Sequence, residues 1–106
     1  MTVEETDDLV HKITEALRLV IDPELGDNIV ELGLVYYVGV QEGGVANIVM
    51  TTTTRGCPAT NYLKNGARDG AWSVPGIEFV DVSLTYEPPW TPQMMTPEAR
   101  MRLGIA

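Results

Sequence analysis

Cys57 is the residue in this sequence best suited to carry chemistry. It lies in the run TTTTRGCPAT, between a glycine and a proline. Gly56 allows the chain to turn, and Pro58 suits the first turn of a helix, so we expect the sulfur at or beside a helix N-cap. The helix dipole and the positive charge of Arg55 would then favour the thiolate, which is both a nucleophile and a ligand for soft metals.

The same cysteine is also open to interpretation as an inert packing residue, because free cysteine is among the most buried residue types. The single histidine, His11, is predicted on the polar face of the first helix and therefore exposed, which weakens a Cys-His pair. Zinc sites and iron-sulfur clusters each normally need about four side-chain ligands. We therefore expect no metal or cluster to be stably bound by a monomer, and only a transient one shared with a second protomer or a client.

An acidic loop supplies further candidate ligands. It contains Asp22, Glu24, Asp27 and Glu31. Such carboxylates often only cap turns on a solvated loop. In a functional interpretation, Asp22 or Glu24 approaches Cys57 as an oxygen ligand or a proton acceptor. The candidate metal ligands are thus Cys57, Glu24 and Asp22.

A proline-rich segment, residues 88–95, follows the last predicted strand. Its prolines fix an extended, polyproline-like path that excludes a central strand. Trp90, Met94 and Met95 either fold back over the end of the sheet or form a recognition surface. Packing as core or lid is favoured because exposed apolar patches are uncommon in soluble monomers. These three residues and Arg55 are the candidate partner contacts.

The pattern of apolar residues predicts the elements that position these groups. The first half should contain a helix over residues 7–20 that stops at Asp22-Pro23, then strands over residues 34–41 and 45–53 joined by a hairpin at residues 42–44. A second helix should run from about residue 62 to residue 74, with Gly66 and Gly70 allowing close approach to the sheet.

The remaining elements are a third strand over residues 77–85 and a short helix capped by Thr96 that ends near Gly104. The predicted fold class is α+β: a two-layer α-β-β-α-β arrangement with helices on one sheet face, a proline-rich tail and a short C-terminal helix.

Length and composition limit the possible functions. A chain of 106 residues suits one domain, residues 1–106, with one modest core. Its net charge of -8 disfavours nucleic acid and anionic membranes as partners. We find no apolar run near the roughly 20 residues needed to span a bilayer, and the N-terminus is acidic where a signal peptide is basic. The expected location is the cytoplasm.

Several separated motifs resemble the SufT/PaaD-like family of small iron-sulfur cluster assembly proteins. They are DPELGDNIVELGLVY, TTRGCP, VPGIEFVDVSLTYEPPWTPQMM and TPEARMRLG, in that order. The family's recurrent cysteine matches Cys57, and its acidic element matches Asp22-Pro23-Glu24. The resemblance implies an iron-sulfur assembly domain. Arg55 departs from the small residue or proline that many relatives have there, and the absence of a cysteine-rich C-terminal extension favours the SufT-like form over the phenylacetate-pathway one.

The resemblance implies an accessory factor that assembles iron-sulfur clusters or transfers them to client proteins, with Cys57 as a transient ligand of iron or of the cluster. Client or scaffold proteins would be its partners, and exposed sheet edges make a homodimer plausible. An alternative is a protein-interaction adaptor that assists an oxygenase or hydroxylase complex without binding metal. A thiol-dependent enzyme is least favoured, since no convincing general base accompanies the thiol.

Overall fold

One end of a three-stranded sheet carries the loop that contains Cys57. A computed structural model describes residues 1–105. The elements are α1 (Val3–Leu17), β1 (Val35–Gln41), β2 (Val45–Met50), α2 (Thr60–Trp72), β3 (Phe79–Leu84), a 3₁₀ turn (Pro92–Met94) and α3 (Pro97–Arg102). The predicted α+β class and element order are confirmed.

The sheet combines a hairpin with a parallel crossover. Its strand order is β1-β2-β3, in which β1 and β2 are antiparallel and β2 and β3 are parallel. The hairpin turns at Gly43 and Gly44, whose φ angles of 86° and 77° are accessible mainly to glycine. Because β2 and β3 are parallel, the segments that follow both strands emerge at the same edge of the sheet. That edge is where α/β proteins commonly place ligands.

The sheet face predicted to meet the helices forms the core. Ala46, Ile48 and Met50 of β2 are fully buried, as the alternation of apolar residues predicts. Ile13 and Leu17 of α1 are also fully buried, and Leu63, Ala67 and Ala71 of α2 belong to the same apolar cluster. His11 lies on the exposed side of α1, as predicted.

The boundaries predicted for α1 are wrong at both ends. The helix begins earlier because the Thr2 side chain accepts a hydrogen bond from the backbone of Glu5, which satisfies a free donor of the first turn. It ends at Leu17, well before Pro23, because Val20 and Asp22 pair instead with the loop across from them: Ile29 N donates to Val20 O at 3.0 Å, and Asp22 N donates to Asp27 O at 2.9 Å.

The glycines of α2 face α1 rather than the sheet, which corrects the expectation from the sequence. A Cβ atom on Gly66 would lie 3.0 Å from Val20 Cγ1, and one on Gly70 would lie 3.6 Å from the carbonyl oxygen of Ala16. The missing side chains therefore allow close packing of α2 against α1 at Gly70 and against Val20, just after α1, at Gly66.

The C-terminal segment is anchored to the acidic loop. Thr96 caps α3 by accepting a hydrogen bond from Ala99 N at 3.2 Å, as predicted. Arg102 forms ion pairs with Asp27 at 2.8 Å and Glu31 at 3.1 Å. These carboxylates thus stabilise the fold. Among residues 1–105, the helices are too short or too polar to cross a membrane.

Candidate functional site

The acidic loop and the cysteine loop meet through one side-chain contact. The Cys57 thiol donates a hydrogen bond to Glu24 Oε1, with 3.2 Å between sulfur and oxygen, although 33 residues separate the two along the chain. Cys57 is only 6% exposed. A functional interpretation of the sequence pairs these two residues, and the structure brings them together.

The sulfur does not lie at the N-cap of α2. Ala59 is the N-cap, and Cys57 precedes it by two residues in a turn closed by a hydrogen bond from Thr60 N to Cys57 O of 3.0 Å. The Thr60 hydroxyl donates to the same carbonyl at 2.7 Å. This turn keeps Pro58 outside the helix, so the predicted place of Pro58 in the first helical turn is wrong.

The pKa of the Cys57 thiol is raised above its ordinary value. Burial is the largest cause, and the carboxylates of Glu24 and Asp22 add to it, while the backbone N–H of Ala59 opposes the shift. The prediction of an acidic thiol favoured by a helix dipole and Arg55 is therefore wrong. The raised pKa favours the protonated thiol, consistent with its hydrogen bond to Glu24.

Asp22 holds the acidic loop in shape. It is 1% exposed, and its Oδ1 accepts hydrogen bonds from Glu24 N at 2.7 Å and Leu25 N at 3.0 Å. This local bonding pattern is the one by which aspartate side chains stabilise turns. Asp22 thereby holds the backbone of the turn from which the Glu24 side chain reaches Cys57, and its own charge acts on the thiol.

Arg55 lies against an aromatic ring. Its guanidinium carbon is 4.7 Å from the centre of the Tyr86 ring, a cation–π distance. Tyr86 lies two residues after the end of β3, next to Thr85, whose backbone is hydrogen-bonded to Met50 of β2. The contact with the Tyr86 ring holds this part of the loop. Arg55 is nevertheless exposed and therefore accessible at the surface.

The proline-rich segment folds back over the end of the sheet. Trp90 Nε1 donates to Leu32 O at 2.7 Å, and Met95 is 4% exposed within the core. Met94 is partly exposed, and its sulfur lies 3.6 Å from the hydroxyl oxygen of Tyr36. Met95 is therefore a packing residue, whereas Trp90 and Met94 retain accessible surface.

The site supplies few donors for a metal. In the described part of the chain, groups of three or more His, Cys, Asp or Glu side chains placed to hold a metal ion are absent. Cys57 and Glu24 offer one thiol and one carboxylate within contact of each other. Since clusters normally take about four thiolates, one thiol and one carboxylate are too few to complete a ligand set by themselves.

Comparison with known proteins places this geometry in a family. The model of a family described as "Iron-sulfur cluster assembly protein" matches residues 11–84, which include the acidic loop, Cys57 and all three strands. The chain belongs to the iron-sulfur cluster assembly protein family. The predicted family resemblance is thereby confirmed.

Relatives within this family cover most of the chain. The Fe-S protein maturation auxiliary factor SufT of Staphylococcus aureus is 41% identical over 88 residues, which are 83% of this chain and all of SufT. An Escherichia coli relative whose name refers to a 1,2-phenylacetyl-CoA epoxidase is 41% identical over 95 residues, covering 89% of this chain and 56% of that protein. Both branches of the SufT/PaaD-like resemblance are therefore represented.

The fold of the family is also present in a solved structure. A domain of unknown function from Bacillus anthracis matches with a TM-score of 0.92 and 35% identity, covering 99% of this chain and all of that one. The names of the SufT and epoxidase relatives connect this family with Fe-S protein maturation and with an epoxidase.

Sequence reasoning missed Thr52 and Tyr86 at this site. Their hydroxyl oxygens are 3.1 Å apart across 34 residues of chain. The run of four threonines before Arg55 was a visible signal, because polar residues at the carboxyl end of a buried strand seldom lack partners. Tyr86 carried no comparable signal.

Proposed function

We propose that this chain is a non-enzymatic accessory factor in iron-sulfur cluster assembly, with Cys57 as a transient ligand of iron or of a cluster in transit. The observation that carries the proposal is the Cys57–Glu24 hydrogen bond of 3.2 Å in a chain of the iron-sulfur assembly family. The proposed setting is the cytoplasm, with iron-sulfur client proteins or scaffold proteins as partners.

The chemistry proposed for Cys57 and Glu24 begins with loss of the thiol proton. A cysteine must be deprotonated to bind a metal, so binding releases a proton. Glu24 Oε1 already accepts the hydrogen bond from the thiol and is placed to take that proton or to act as a second ligand. Asp22 holds the turn that carries Glu24.

The incomplete donor set supports transfer rather than storage. Cys57 is the single cysteine of the chain, and a cluster requires about four thiolates. Further ligands would come from a client or from a second protomer. Catalytic cysteines have lowered pKa values, so the raised pKa of Cys57 gives no support to a nucleophilic enzyme, and metal binding would have to displace the thiol proton.

The test is maturation of an iron-sulfur client in cells that depend on this chain. Cys57→Ser should retain the fold, checked by circular dichroism, and lose client activity. Anaerobic incubation of the purified protein with iron and sulfide should give absorption in the wild type that Cys57→Ser lacks. Undiminished client maturation by Cys57→Ser would refute the proposal.

A second candidate function is an adaptor that docks a client or oxygenase component through Trp90 and Met94. It is favoured by the cavity of about 500 Å³ that Gly33, Val35, Tyr36, Pro88 and Met94 line beside the folded-back segment. The adaptor function predicts that Met94→Ser weakens client capture in a pull-down while Cys57→Ala does not. The opposite pattern would favour the cluster-transfer function.

A further inference from the structure

The loop that carries Cys57 is held at its start by a buried hydroxyl pair. Thr52 is 2% exposed, and its Oγ1 donates to the carbonyl oxygen of Thr54 at 2.6 Å. A threonine hydroxyl has one proton, so Oγ1 must act as acceptor in its 3.1 Å contact with the Tyr86 hydroxyl. Tyr86 is therefore the donor.

The same tyrosine holds the loop at a second point. Its ring lies under the guanidinium of Arg55, 4.7 Å from ring centre to Cζ. Beyond Arg55 the chain turns at Gly56, where φ is 71° and the space that a side chain would occupy is free of neighbouring atoms within 4 Å. Between Thr52 and the turn at Cys57, Tyr86 thus contacts the loop through both its hydroxyl and its ring.

The position of Tyr86 is itself fixed by the sheet. Thr85 N donates to Met50 O, on the last residue of β2, at 2.9 Å, which continues the parallel pairing one residue past the end of β3. Tyr86 is the next residue, so its backbone starts from the rigid edge of the sheet. The cysteine loop, residues 52–57, leaves the same edge just after β2.

We propose that Tyr86 is a positioning residue that holds the 52–57 loop in the conformation in which the Cys57 thiol meets Glu24 and is shielded from solvent. This inference rests on the proposed function, in which Cys57 is the transient ligand of iron or of a cluster. Removal of the Tyr86 hydroxyl breaks the contact between the segment after β3 and Thr52, so the Thr52 side chain is held only by its own bond to the Thr54 carbonyl. The loop then opens more often, and the sulfur samples solvent.

The test compares the rate at which iodoacetamide alkylates Cys57 in folded protein, at one pH and at several urea concentrations below the unfolding transition. Tyr86→Phe keeps the ring beneath Arg55 and removes only the hydroxyl. It should accelerate alkylation about fivefold, the factor equivalent to about 1 kcal/mol for one hydrogen bond. Tyr37→Phe is the matched control, because the Tyr37 hydroxyl lies over Gly39 on an exposed sheet surface.

Variants at Thr52 separate positioning from general stability. Thr52→Val should accelerate alkylation like Tyr86→Phe, and Thr52→Ser, which keeps the hydroxyl, should restore a rate near that of the wild type. Local opening exposes little surface, so the accelerated rates should depend only weakly on urea.

Two results would overturn the inference. One is an alkylation rate for Tyr86→Phe equal to that of Tyr37→Phe. The other is an accelerated rate with the steep urea dependence of global unfolding, which would make Tyr86 a purely structural residue. Both results come from alkylation rates of the protein alone, without iron or a client. They can therefore be told apart from the result that would refute the proposed function, which is normal client maturation by Cys57→Ser.

Discussion

At the scale of single residues, burial and the neighbouring Glu24 carboxylate both raise the pKa of Cys57. Burial raises the pKa of the thiol most, and the adjacent Glu24 carboxylate raises it further by accepting the thiol proton in a hydrogen bond and by its negative charge. A raised pKa in the folded state favours the protonated thiol. The contribution of this shift to the free energy of unfolding is present at pH values below the ordinary pKa of a cysteine thiol. It is lost as the pH rises through the pKa of Cys57 in the folded protein.

Glu24→Gln should therefore lower the pKa of Cys57 toward its ordinary value. The amide is nearly the same size but carries no charge, so the electrostatic cost of forming the thiolate falls. The pH at which the alkylation rate of Cys57 is half-maximal should move down. Glu78→Gln serves as control, because exposed Glu78 precedes β3 at the opposite end of the sheet. An unchanged or higher midpoint in Glu24→Gln would contradict this account.

The sequence identifies Cys57 as a candidate but not its environment. A Gly-Cys-Pro turn after a strand is visible in the sequence, and so is the acidic loop. The protonation state depends on burial and on a contact across 33 residues of chain, neither of which follows from spacing. The hydroxyl pair of Thr52 and Tyr86 is non-local in the same way.

At the scale of elements, local sequence signals predict which helices and strands exist better than they predict the residues at which those elements begin and end. The hairpin at Gly43-Gly44 and the capped α3 are found as expected, because their determinants are near neighbours in sequence. The end of α1 is misplaced because backbone pairing across the loop, from Val20 to Ile29 and from Asp22 to Asp27, competes with the helix, and spacing of apolar residues does not reveal it. The residues that pack against Gly66 and Gly70 are likewise set by tertiary structure, which the spacing of apolar residues does not specify.

The two glycines of α2 give a matched pair of substitutions. Gly70→Ala should stabilise the protein by about 0.5–1 kcal/mol, since alanine has the higher helix propensity and the new methyl group would meet Ala16 at an ordinary contact distance of 3.6 Å. Gly66→Ala gains the same propensity but presses on Val20 at 3.0 Å. It should gain less or lose stability. Urea unfolding measures both, and equal stabilisation by the two would show that Val20 does not pack tightly against Gly66.

At the scale of the whole molecule, the C-terminal segment closes over the loops that build the site. Trp90 bonds to Leu32, Thr96 N donates to Glu31 O at 2.9 Å, and Arg102 pairs with Asp27. The segment therefore packs on the stretch that follows Glu24. If the proposed adaptor function holds, a partner that displaces this segment would also remove contacts that support the acidic loop, and with it the Glu24–Cys57 contact.

The C-terminal segment packs directly against the backbone of Gly33. The φ of Gly33 is 77°, and a Cβ atom there would overlap the backbone carbonyl of Met94. Gly26 has nearly the same φ of 78°, but no atom lies within 4 Å of the corresponding position. Alanine at either site incurs the same left-handed backbone cost of roughly 1–2 kcal/mol. Only Gly33→Ala adds a backbone clash.

Gly33→Ala should consequently displace the 88–95 segment, whereas Gly26→Ala should lower stability without moving it. Trp90 reports the movement, because its indole N–H is bonded to Leu32 O in the closed state. In a Trp72→Phe background, Gly33→Ala should shift Trp90 fluorescence to the red and make it more accessible to iodide quenching. If both alanine variants gave the spectrum of the parent, the segment would not be held by its contact with Gly33, and a displaced spectrum in Gly26→Ala would assign the change to backbone strain instead.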